Sequence, residues 1–369
     1  MTNMPIGRAV IMPGPGQAVE SITVNRPTLE EGAILMRTRL SEVCGTDVHL
    51  CHGRLAGVPY PIIPGHVSVG VVDEVAGKVC DIDGKPFIAG DRITFLDVHE
   101  TCGHCWHCLV GKNSTRCPHR KVYGITYGQG DGLLGGWSDW VYLKPGVKVI
   151  RMPEELTDKT FIGGGCGAPT AFHAVQRASI GLNDSVVVQG VGPVGLSAIA
   201  FARLSGAGTI IAIGAPADRL ELAKAMGADE CLDIATTTAK ERLDLVKRNT
   251  GGRGADRVIE ATGNPAAVPE GMRLTRDAGV YVIVGQYTDC GSVEMNPHQD
   301  INRKHLDIRG CWGSDFSHFH GAIQAMARHQ SRFAWDRLAE REYRLEEAGK
   351  ALDDIENARV PKAVIRVSM

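Results

Sequence analysis

Four cysteines follow one another closely in the chain, in the pattern C-x2-C-x2-C-x8-C. Four thiolates at such short spacing can converge on one tetrahedral zinc ion and leave no open coordination position. The pattern therefore predicts a structural zinc site. A redox-active thiol cluster and a mixed ligand set that includes a neighbouring histidine are the alternatives. The cysteines are Cys102, Cys105, Cys108 and Cys117, and the neighbouring histidines are His104, His107 and His119.

A second set of possible metal ligands is dispersed along the chain. Cys44 lies in Cys-Gly-Thr-Asp, His66 in Gly-His-Val and Cys166 in Gly-Gly-Cys-Gly. Two thiolates, one imidazole and a water molecule form a recognised catalytic zinc site. No short motif groups the three residues, so their spacing alone predicts buried core residues, and the zinc site is the alternative. Small buried apolar residues are the expectation for the other cysteines, which are Cys51, Cys80, Cys231, Cys290 and Cys311.

A glycine-rich loop, Gly190-Val191-Gly192-Pro193-Val194-Gly195, joins an apolar run to a helix-like stretch. The first glycine permits a tight turn, and the second lets backbone approach a pyrophosphate. The third lets the helix pack against the strand, and the helix N-terminus favours the anion. The loop therefore predicts dinucleotide binding, with a Gly-rich turn that binds no ligand as the alternative.

The residue that would contact the cofactor ribose is unusual. NAD-binding folds place Asp or Glu at the end of the second strand, about 20 residues after the loop. Here that strand ends in Gly214, which has no carboxylate to bind a 2′-hydroxyl or to repel a 2′-phosphate. Arg219 could contact either group, or could be a solvated residue of the next helix. The choice between NAD and NADP stays undecided.

Apolar runs and helical stretches alternate around this loop. Strands are predicted at Ser185–Gln189, Thr209–Ile213, Arg257–Glu260 and Val280–Val284, and helices at Ala168–Ser179 and Val194–Leu204. Such alternation predicts a doubly wound parallel sheet. Val284, at the end of the last run, is a further candidate cofactor contact.

The residues before about 160 show a different pattern. Short strand-like runs, such as Val67–Val75 and Arg92–Leu96, are interrupted by Gly and Pro, which predicts a mostly antiparallel domain. Beyond about Gly310 the alternation fades, and Pro361–Val367 resembles a final strand. We therefore expect the chain to return to the first domain there, so that the second domain is an insertion.

Composition narrows the class of protein. The 369 residues carry 40 Lys and Arg against 42 Asp and Glu, and this balance does not favour a nucleic-acid binder. No apolar run is long enough for a membrane span, and Met1–Val10 shows no export signal. Eleven cysteines are an odd number in such a chain, which favours reduced thiols and a cytoplasmic location.

Taken together and in this order, these motifs resemble the zinc-dependent medium-chain dehydrogenase/reductase family, of the alcohol dehydrogenase type. The resemblance spans almost the whole chain. It implies a mixed α/β fold, with a GroES-like, mostly-β catalytic domain at 1–165 that carries the zinc lobe at about 99–120. A Rossmann domain at 166–310 and a return to the catalytic domain at 311–369 would follow. It also implies a homodimer or homotetramer.

The resemblance assigns roles residue by residue. Cys44, His66 and Cys166 match the catalytic zinc ligands, and the four clustered cysteines match the structural zinc lobe. Asp47 matches an acid that orients the ligating histidine. Thr46 matches a hydroxyl that contacts the substrate oxygen, and His49 the surface end of a proton relay. Further matches are Thr170 and Val194 beside the nicotinamide, Lys362 as a pyrophosphate-binding cation, and Leu55, Val98 and Trp137 in the substrate pocket.

Three positions depart from the family pattern. Val67 stands where Glu commonly follows the ligating histidine, and that carboxylate is implicated in displacing zinc-bound water. The interval from Cys108 to Cys117 is one residue longer than usual. Gly214 replaces the acidic ribose contact.

The implied reaction is hydride transfer between an alcohol and NAD or NADP, which gives an aldehyde or ketone. Zinc would lower the pKa of the alcohol, and its proton would pass through Thr46 and the cofactor ribose to His49. The apolar pocket residues favour a secondary or cyclic alcohol. The alternatives are a zinc-independent alkene reductase, a protein that binds cofactor without turnover, and a zinc-binding regulatory or nucleic-acid module.

Overall fold

The computed structural model describes residues 6–367. Residues 1–5, which belong to the Met1–Val10 segment considered above, lie outside the described residues. In chain order the strands are β1 (Ile6–Ile11), β2 (Glu20–Asn25), β3 (Ile34–Val43), β4 (Ser68–Val75), β5 (Arg92–Phe95), β6 (Val98–Glu100), β7 (Lys121–Val122), β8 (Trp140–Leu143), β9 (Val149–Arg151), β10 (Ser185–Gln189), β11 (Thr209–Gly214), β12 (Glu230–Asp233), β13 (Ala255–Glu260), β14 (Thr275–Ile283), β15 (Asp307–Gly310), β16 (Arg341–Arg344) and β17 (Ala363–Arg366).

The helices are α1 (Gly45–Cys51), α2 (Trp106–Leu109), α3 (Asp158–Gly164), α4 (Gly167–Ala178), α5 (Pro193–Leu204), α6 (Ala217–Ala225), α7 (Ala239–Asn249), α8 (Ala267–Leu274), α9 (Phe316–His329), α10 (Trp335–Leu338) and α11 (Ala348–Glu356). Short 3-10 turns lie at Ser114–Arg116, Gln129–Asp131 and Leu345–Glu347, and a π-helical turn lies at Pro297–Asn302.

The chain divides into two compact units. Unit 1 comprises Met1–Gly165 and Leu338–Met369, and unit 2 comprises Cys166–Arg337. The first boundary coincides with the one proposed from the sequence. The second lies well beyond residue 310, which corrects the expected return at 311. The reason is that β15 completes the sheet of unit 2, and α9 packs against α4 of that same unit.

Unit 1 is built around a seven-stranded sheet in the order β16-β17-β3-β4-β5-β9, with β8 also paired to β3. Every pairing except β16 with β17 is antiparallel. The long strand β3 pairs with β4, β8 and β17, so the chain's last strand is held beside a strand of the first segment. The core on this sheet includes Met36, Phe95 and Tyr123, all essentially unexposed.

Unit 2 contains six parallel strands in the order β12-β11-β10-β13-β14-β15. The central strands are apolar along their length because helices cover both faces of such a sheet. From β10 the chain continues to β11 and β12 on one side of the sheet, and it then crosses to β13 on the other side of β10. In doubly wound sheets, ligands bind at the carboxyl ends of the strands beside such a switch point. The glycine-rich loop leaves β10 there. The predicted α/β fold class is confirmed.

Two negative findings concern the described residues. Within residues 6–367, no helix is both long enough and apolar enough to cross a membrane. No disulfide joins any of the cysteines in that range.

Candidate active site and metal centres

Cys44 directly follows β3 and forms the N-cap of α1. Its Sγ accepts a hydrogen bond from the Thr46 backbone N–H at 3.3 Å, and Asp47 Oδ2 accepts one from the Cys44 N–H at 2.8 Å. This reciprocal capping fixes the thiol at the start of the helix, where the backbone dipoles stabilise negative charge. Burial and the charge of Cys44 raise the pKa of the Asp47 carboxyl well above its ordinary value.

His66 lies just before β4 in a tightly packed segment. The preceding Gly65 has φ +91, and a Cβ there would lie 2.5 Å from the Trp137 ring. His66 Nε2 faces the Cys44 Sγ at 3.9 Å. Burial lowers the pKa of the imidazole, but the charge of Cys44 and its hydrogen bond outweigh this and raise the pKa to about 10. The His66 ring nitrogen is therefore held directly against the Cys44 sulfur.

Cys166 brings the third ligand atom to the same place. Cys44 Sγ, Cys166 Sγ and a His66 ring nitrogen all lie within 4.8 Å of one another. Among residues 6–367, His66 Nδ1 and Asp47 Oδ1 are also buried without a hydrogen-bond partner. Two thiols, one imidazole and unsatisfied buried polar atoms fit a zinc ion with three protein ligands. The dispersed set is thus brought together.

Thr46 and His49 lie on α1, three residues apart, so their side chains share one face of the helix. Both are half-buried. Burial, followed by the nearby charges of Arg54 and His52, lowers the pKa of His49 below its ordinary value. The imidazole is therefore neutral at pH 7 and can accept a proton.

The four clustered thiols also converge. Cys102, Cys105, Cys108 and Cys117 place their Sγ atoms within 4.8 Å of one another. The 3-10 turn at Ser114–Arg116 lies within the long interval before Cys117. A closed set of four thiols with no histidine matches a structural zinc site better than a mixed ligand set does.

The three glycines of the loop differ in their surroundings. Gly190 has φ +104, and a Cβ there would lie 2.5 Å from the Ala261 carbonyl oxygen. A Cβ on Gly195 would lie 1.9 Å from the Gly190 oxygen, whereas a Cβ on Gly192 would meet nothing within 4 Å. Gly192 is the N-cap of α5, and Pro193 begins that helix. Open space at a helix N-terminus suits an incoming anion.

Gly214 ends β11 against the glycine-rich loop. A Cβ there would lie 2.5 Å from Val191 Cγ2, so Val191 occupies the volume in which a longer side chain would begin. Arg219 lies in the first turn of α6, and burial lowers the pKa of its guanidinium. The structure thus gives a packing reason for the missing carboxylate.

The other predicted site residues have varied environments. The Thr170 hydroxyl donates to the Cys166 carbonyl at 2.9 Å, Val284 is buried just after β14, and Val194 lies in the first turn of α5. Leu55 is half-buried and Val98 is buried.

Two expectations need correction. Trp137 is fully buried, and its indole N–H donates to the Glu42 carbonyl, so it packs the interior rather than lining a pocket. Lys362 is fully buried, and its Nζ lies 2.6 Å from Glu42 Oε1. In this arrangement Lys362 is a partner of Glu42, not an exposed cation for a pyrophosphate.

The five remaining cysteines are less uniform than expected. Only Cys311 is buried, Cys51, Cys80 and Cys231 are half-buried, and Cys290 is exposed. Sequence reasoning also missed Glu42, a fully buried acid two residues before Cys44. The available signal was an acidic residue near the end of β3, two positions before Cys44.

Comparison with known proteins gives a consistent result. The chain matches the family model of the alcohol dehydrogenase GroES-like domain over residues 30–154 and that of the zinc-binding dehydrogenase over residues 193–328. It is 35% identical over 341 residues to 5-exo-hydroxycamphor dehydrogenase of Pseudomonas putida, covering 90% of this chain and 91% of that protein. It is 31% identical over 323 residues to erythritol/L-threitol dehydrogenase of Mycolicibacterium smegmatis, covering 83% and 84%.

Among solved structures, alcohol dehydrogenase from Thermotoga maritima matches with a TM-score of 0.94 and 33% identity. The match covers 98% of this chain and 99% of that one. The fold, both family models and the extent of the similarity agree with the motifs of the site. The chain belongs to the zinc-dependent medium-chain dehydrogenase family, and it is a zinc-dependent, NAD(P)-dependent alcohol dehydrogenase.

Proposed function

We propose that this dehydrogenase oxidises an apolar secondary or cyclic alcohol to the ketone at the Cys44, His66 and Cys166 set. The observation that carries the proposal is the convergence of these three ligand atoms, with all three side chains buried or half-buried. Three protein ligands leave a fourth position for substrate, which distinguishes a catalytic zinc from the closed site formed by the four clustered thiols. The second ligand set, Cys102, Cys105, Cys108 and Cys117, would hold a structural zinc.

The chain's own residues position the reactants and move the proton. When bound, zinc supplies Lewis-acid activation of the alcohol, and the nicotinamide accepts hydride. Thr46, fixed in the first turn of α1, receives the alcohol proton, and His49 on the same face passes it to solvent. Asp47 holds the start of α1 through the Cys44 N–H. The nucleotide is bound by Gly190–Gly195, with Thr170, Val194 and Val284 beside the nicotinamide.

The substrate class follows from the pocket candidates and one relative. Leu55 and Val98 are apolar, and the Pseudomonas putida relative is named for hydroxycamphor, a bicyclic secondary alcohol. The Mycolicibacterium smegmatis relative is named for the polyols erythritol and threitol, so the two classes can be compared directly. We expect kcat/KM for borneol to exceed that for erythritol at least ~10-fold, because an apolar wall leaves extra hydroxyls unpaired.

The rate of NAD(P)H formation at 340 nm, measured with each alcohol and with enzyme of known zinc content, tests this prediction. Turnover of borneol supports the proposal. Equal or faster turnover of erythritol contradicts the apolar substrate class. Absence of turnover with every alcohol in the presence of bound zinc and bound nucleotide contradicts the catalytic assignment.

The ribose end of the nucleotide site determines cofactor preference. Because Gly214 offers no carboxylate, we propose that the site accepts both NAD and NADP, with Arg219 beside the 2′ position. A Gly214→Asp side chain would overlap Val191, and we expect it to weaken binding of both nucleotides. Paired with Val191→Ala, the same Asp should retain NADH and disfavour NADPH at least ~10-fold by charge repulsion.

Quenching of tryptophan fluorescence by NADH and NADPH measures the dissociation constants of wild type, Gly214→Asp and the double variant. Val191→Ala alone is the matched control. Wild-type dissociation constants that agree within ~10-fold support dual use. A wild-type preference above ~100-fold, or a double variant that binds NADPH as wild type does, contradicts the assignment of Gly214.

His49 gives a prediction about pH. Its pKa lies below the ordinary value, so it is neutral and able to accept a proton above that pKa and loses this ability as pH falls through it. We expect His49→Ala to lower kcat about 10- to 100-fold near neutral pH. The deficit should shrink at high pH, where hydroxide can accept the proton, and exogenous imidazole should partly restore the rate. A pH–rate profile identical to that of wild type would remove His49 from the relay.

Assembly and location follow from more general features. We propose a homodimer or homotetramer, in which the edge strand β15 of the parallel sheet is available for pairing with another copy. We also propose a cytoplasmic location, because two predicted zinc sites built on thiolates need a reducing compartment. Analytical ultracentrifugation measures the oligomeric state.

A further inference from the structure

Glu42 and Lys362 form a fully buried ion pair. Both side chains are 0% exposed, and Lys362 Nζ lies 2.6 Å from Glu42 Oε1. Taking two charges out of water is costly, and an apolar pair of similar size is often no less stable. Stability alone is therefore a weak explanation for this pair, and its surroundings suggest another.

The pair contacts segments that carry the catalytic ligands. Glu42 lies on β3 two residues before Cys44, and its backbone N–H donates to the Val67 carbonyl at 3.0 Å, directly after His66. Lys362, just before β17, donates from Nζ to the Gly164 carbonyl at 3.3 Å. The backbone of Glu42 is thus bonded to the segment that follows His66, and the ion-paired side chain of Lys362 is bonded to the end of α3.

The third ligand is reached through Gly165, the residue immediately before Cys166. A Cβ on Gly165 would lie 2.0 Å from Glu42 Oε2 and 2.3 Å from Lys362 Nζ. Gly165 also has φ +46, which favours glycine. The two charged groups therefore lie directly against the backbone that leads into Cys166.

We propose that Glu42 and Lys362 are positioning residues that hold the three ligand-bearing segments in register for the catalytic metal. This inference rests on the proposed function, because it requires zinc at Cys44, His66 and Cys166. The ion pair acts through the backbone of those segments. Its specific geometry supplies what an apolar pair of equal stability would not, namely fixed distances between β3, the start of β4 and Gly165.

The register of the sheet places the Glu42 carboxylate beside position 67. Ser41 pairs with Ser68 across β3 and β4, so Glu42 stands directly opposite Val67. Residues directly opposite in an antiparallel pair project from the same face. A carboxylate at position 67 would therefore project beside the one at position 42. Glu42 therefore places a carboxylate on the neighbouring strand, directly opposite position 67.

The test is the rate at which each zinc is lost to a chromogenic chelator from purified, zinc-loaded protein. The four-thiol site serves as the internal reference. We expect Glu42→Gln and Lys362→Met to release one zinc about 10- to 100-fold faster than wild type, as for other residues that support metal ligands. Release of the second zinc should be unchanged.

Two further variants separate positioning from stability. The double variant Glu42→Leu with Lys362→Met removes both charges and should fold, and we expect it still to lose the first zinc quickly. Glu342→Gln, which disrupts the partly exposed ion pair of Arg366 on the same sheet, should release both zinc ions at wild-type rates. Wild-type release from the double variant would show that the pair only stabilises the fold, and would overturn the proposal.

Moving the carboxylate from position 42 to position 67 tests whether either strand can supply it. Glu42→Val should release the first zinc quickly, and Glu42→Val combined with Val67→Glu should return the rate toward that of wild type. A combined variant as fast as Glu42→Val would contradict the exchange. If wild-type protein holds zinc only at the four thiols, the proposed function fails; if it holds both and no variant alters release, only this inference fails.

Discussion

Cys166→Ser should abolish turnover while the protein still folds and still binds nucleotide. A serine hydroxyl stays protonated at neutral pH and is a poor zinc ligand, so two protein ligands would remain where three converge. Lewis-acid activation is worth several kcal/mol, so we expect kcat to fall at least ~10³-fold. The measurement is steady-state oxidation of the best alcohol found for the wild type.

Cys290→Ser is the matched control, because Cys290 is exposed and belongs to neither ligand set. It should retain wild-type kcat. Circular dichroism and nucleotide titration establish that Cys166→Ser is folded and that its nucleotide site is intact. Wild-type-like turnover in Cys166→Ser would contradict the assignment of Cys44, His66 and Cys166 as the catalytic metal site.

Gly192→Ala should weaken nucleotide binding without weakening the fold. A Cβ at Gly192 meets no atom within 4 Å, and the residue has φ −79 and ψ 179, which alanine adopts readily. The added methyl would lie at the N-terminus of α5, where the pyrophosphate approaches the backbone. We expect the dissociation constants of NADH and NADPH to rise at least ~10-fold, with the melting temperature unchanged.

Gly195→Ala should destabilise the fold itself, unlike Gly192→Ala. Its Cβ would lie 1.9 Å from the Gly190 carbonyl oxygen, so α5 and β10 would have to separate. Overpacking of this kind costs about 1–3 kcal/mol or more, and we expect a lower melting temperature even without nucleotide. If Gly192→Ala binds both nucleotides as wild type does, the loop does not hold the pyrophosphate.

Much of the fold is legible in the sequence because buried parallel strands are apolar along their whole length. The apolar run Ser185–Gln189 has the same bounds as strand β10, and strand β11 extends one residue beyond the run Thr209–Ile213. The sequence does not predict the two edge strands, Glu230–Asp233 and Asp307–Gly310, because each is half exposed and lacks an apolar run.

The misplaced return to unit 1 has a similar cause. With β15 unrecognised, the chain beyond Gly310 had no visible sheet to join. Helix α9 nonetheless carries a helical pattern of buried residues at Phe319, Ala322, Ile323 and Met326. That spacing of three and four residues could have identified one more helix of unit 2.

The sequence likewise predicts only part of the candidate site. The ligand motifs could be read because cysteine and histidine chemistry is specific, and the structure brings both ligand sets together. The partner of Lys362 could not be predicted from the sequence, because Glu42 is 320 residues away along the chain. Only the pairing of β17 with β3 makes the two residues neighbours. The burial of Trp137 likewise depends on contacts with Gly65 that local sequence does not encode.

The most direct test of the account is the number of zinc ions bound per chain, counted by elemental analysis after dialysis against a weak chelator. The two ligand sets predict two zinc ions in wild type and one in Cys166→Ser, with the remaining ion held by the four clustered thiols. One zinc ion in both proteins would contradict the account, because the three converging residues would then hold no metal.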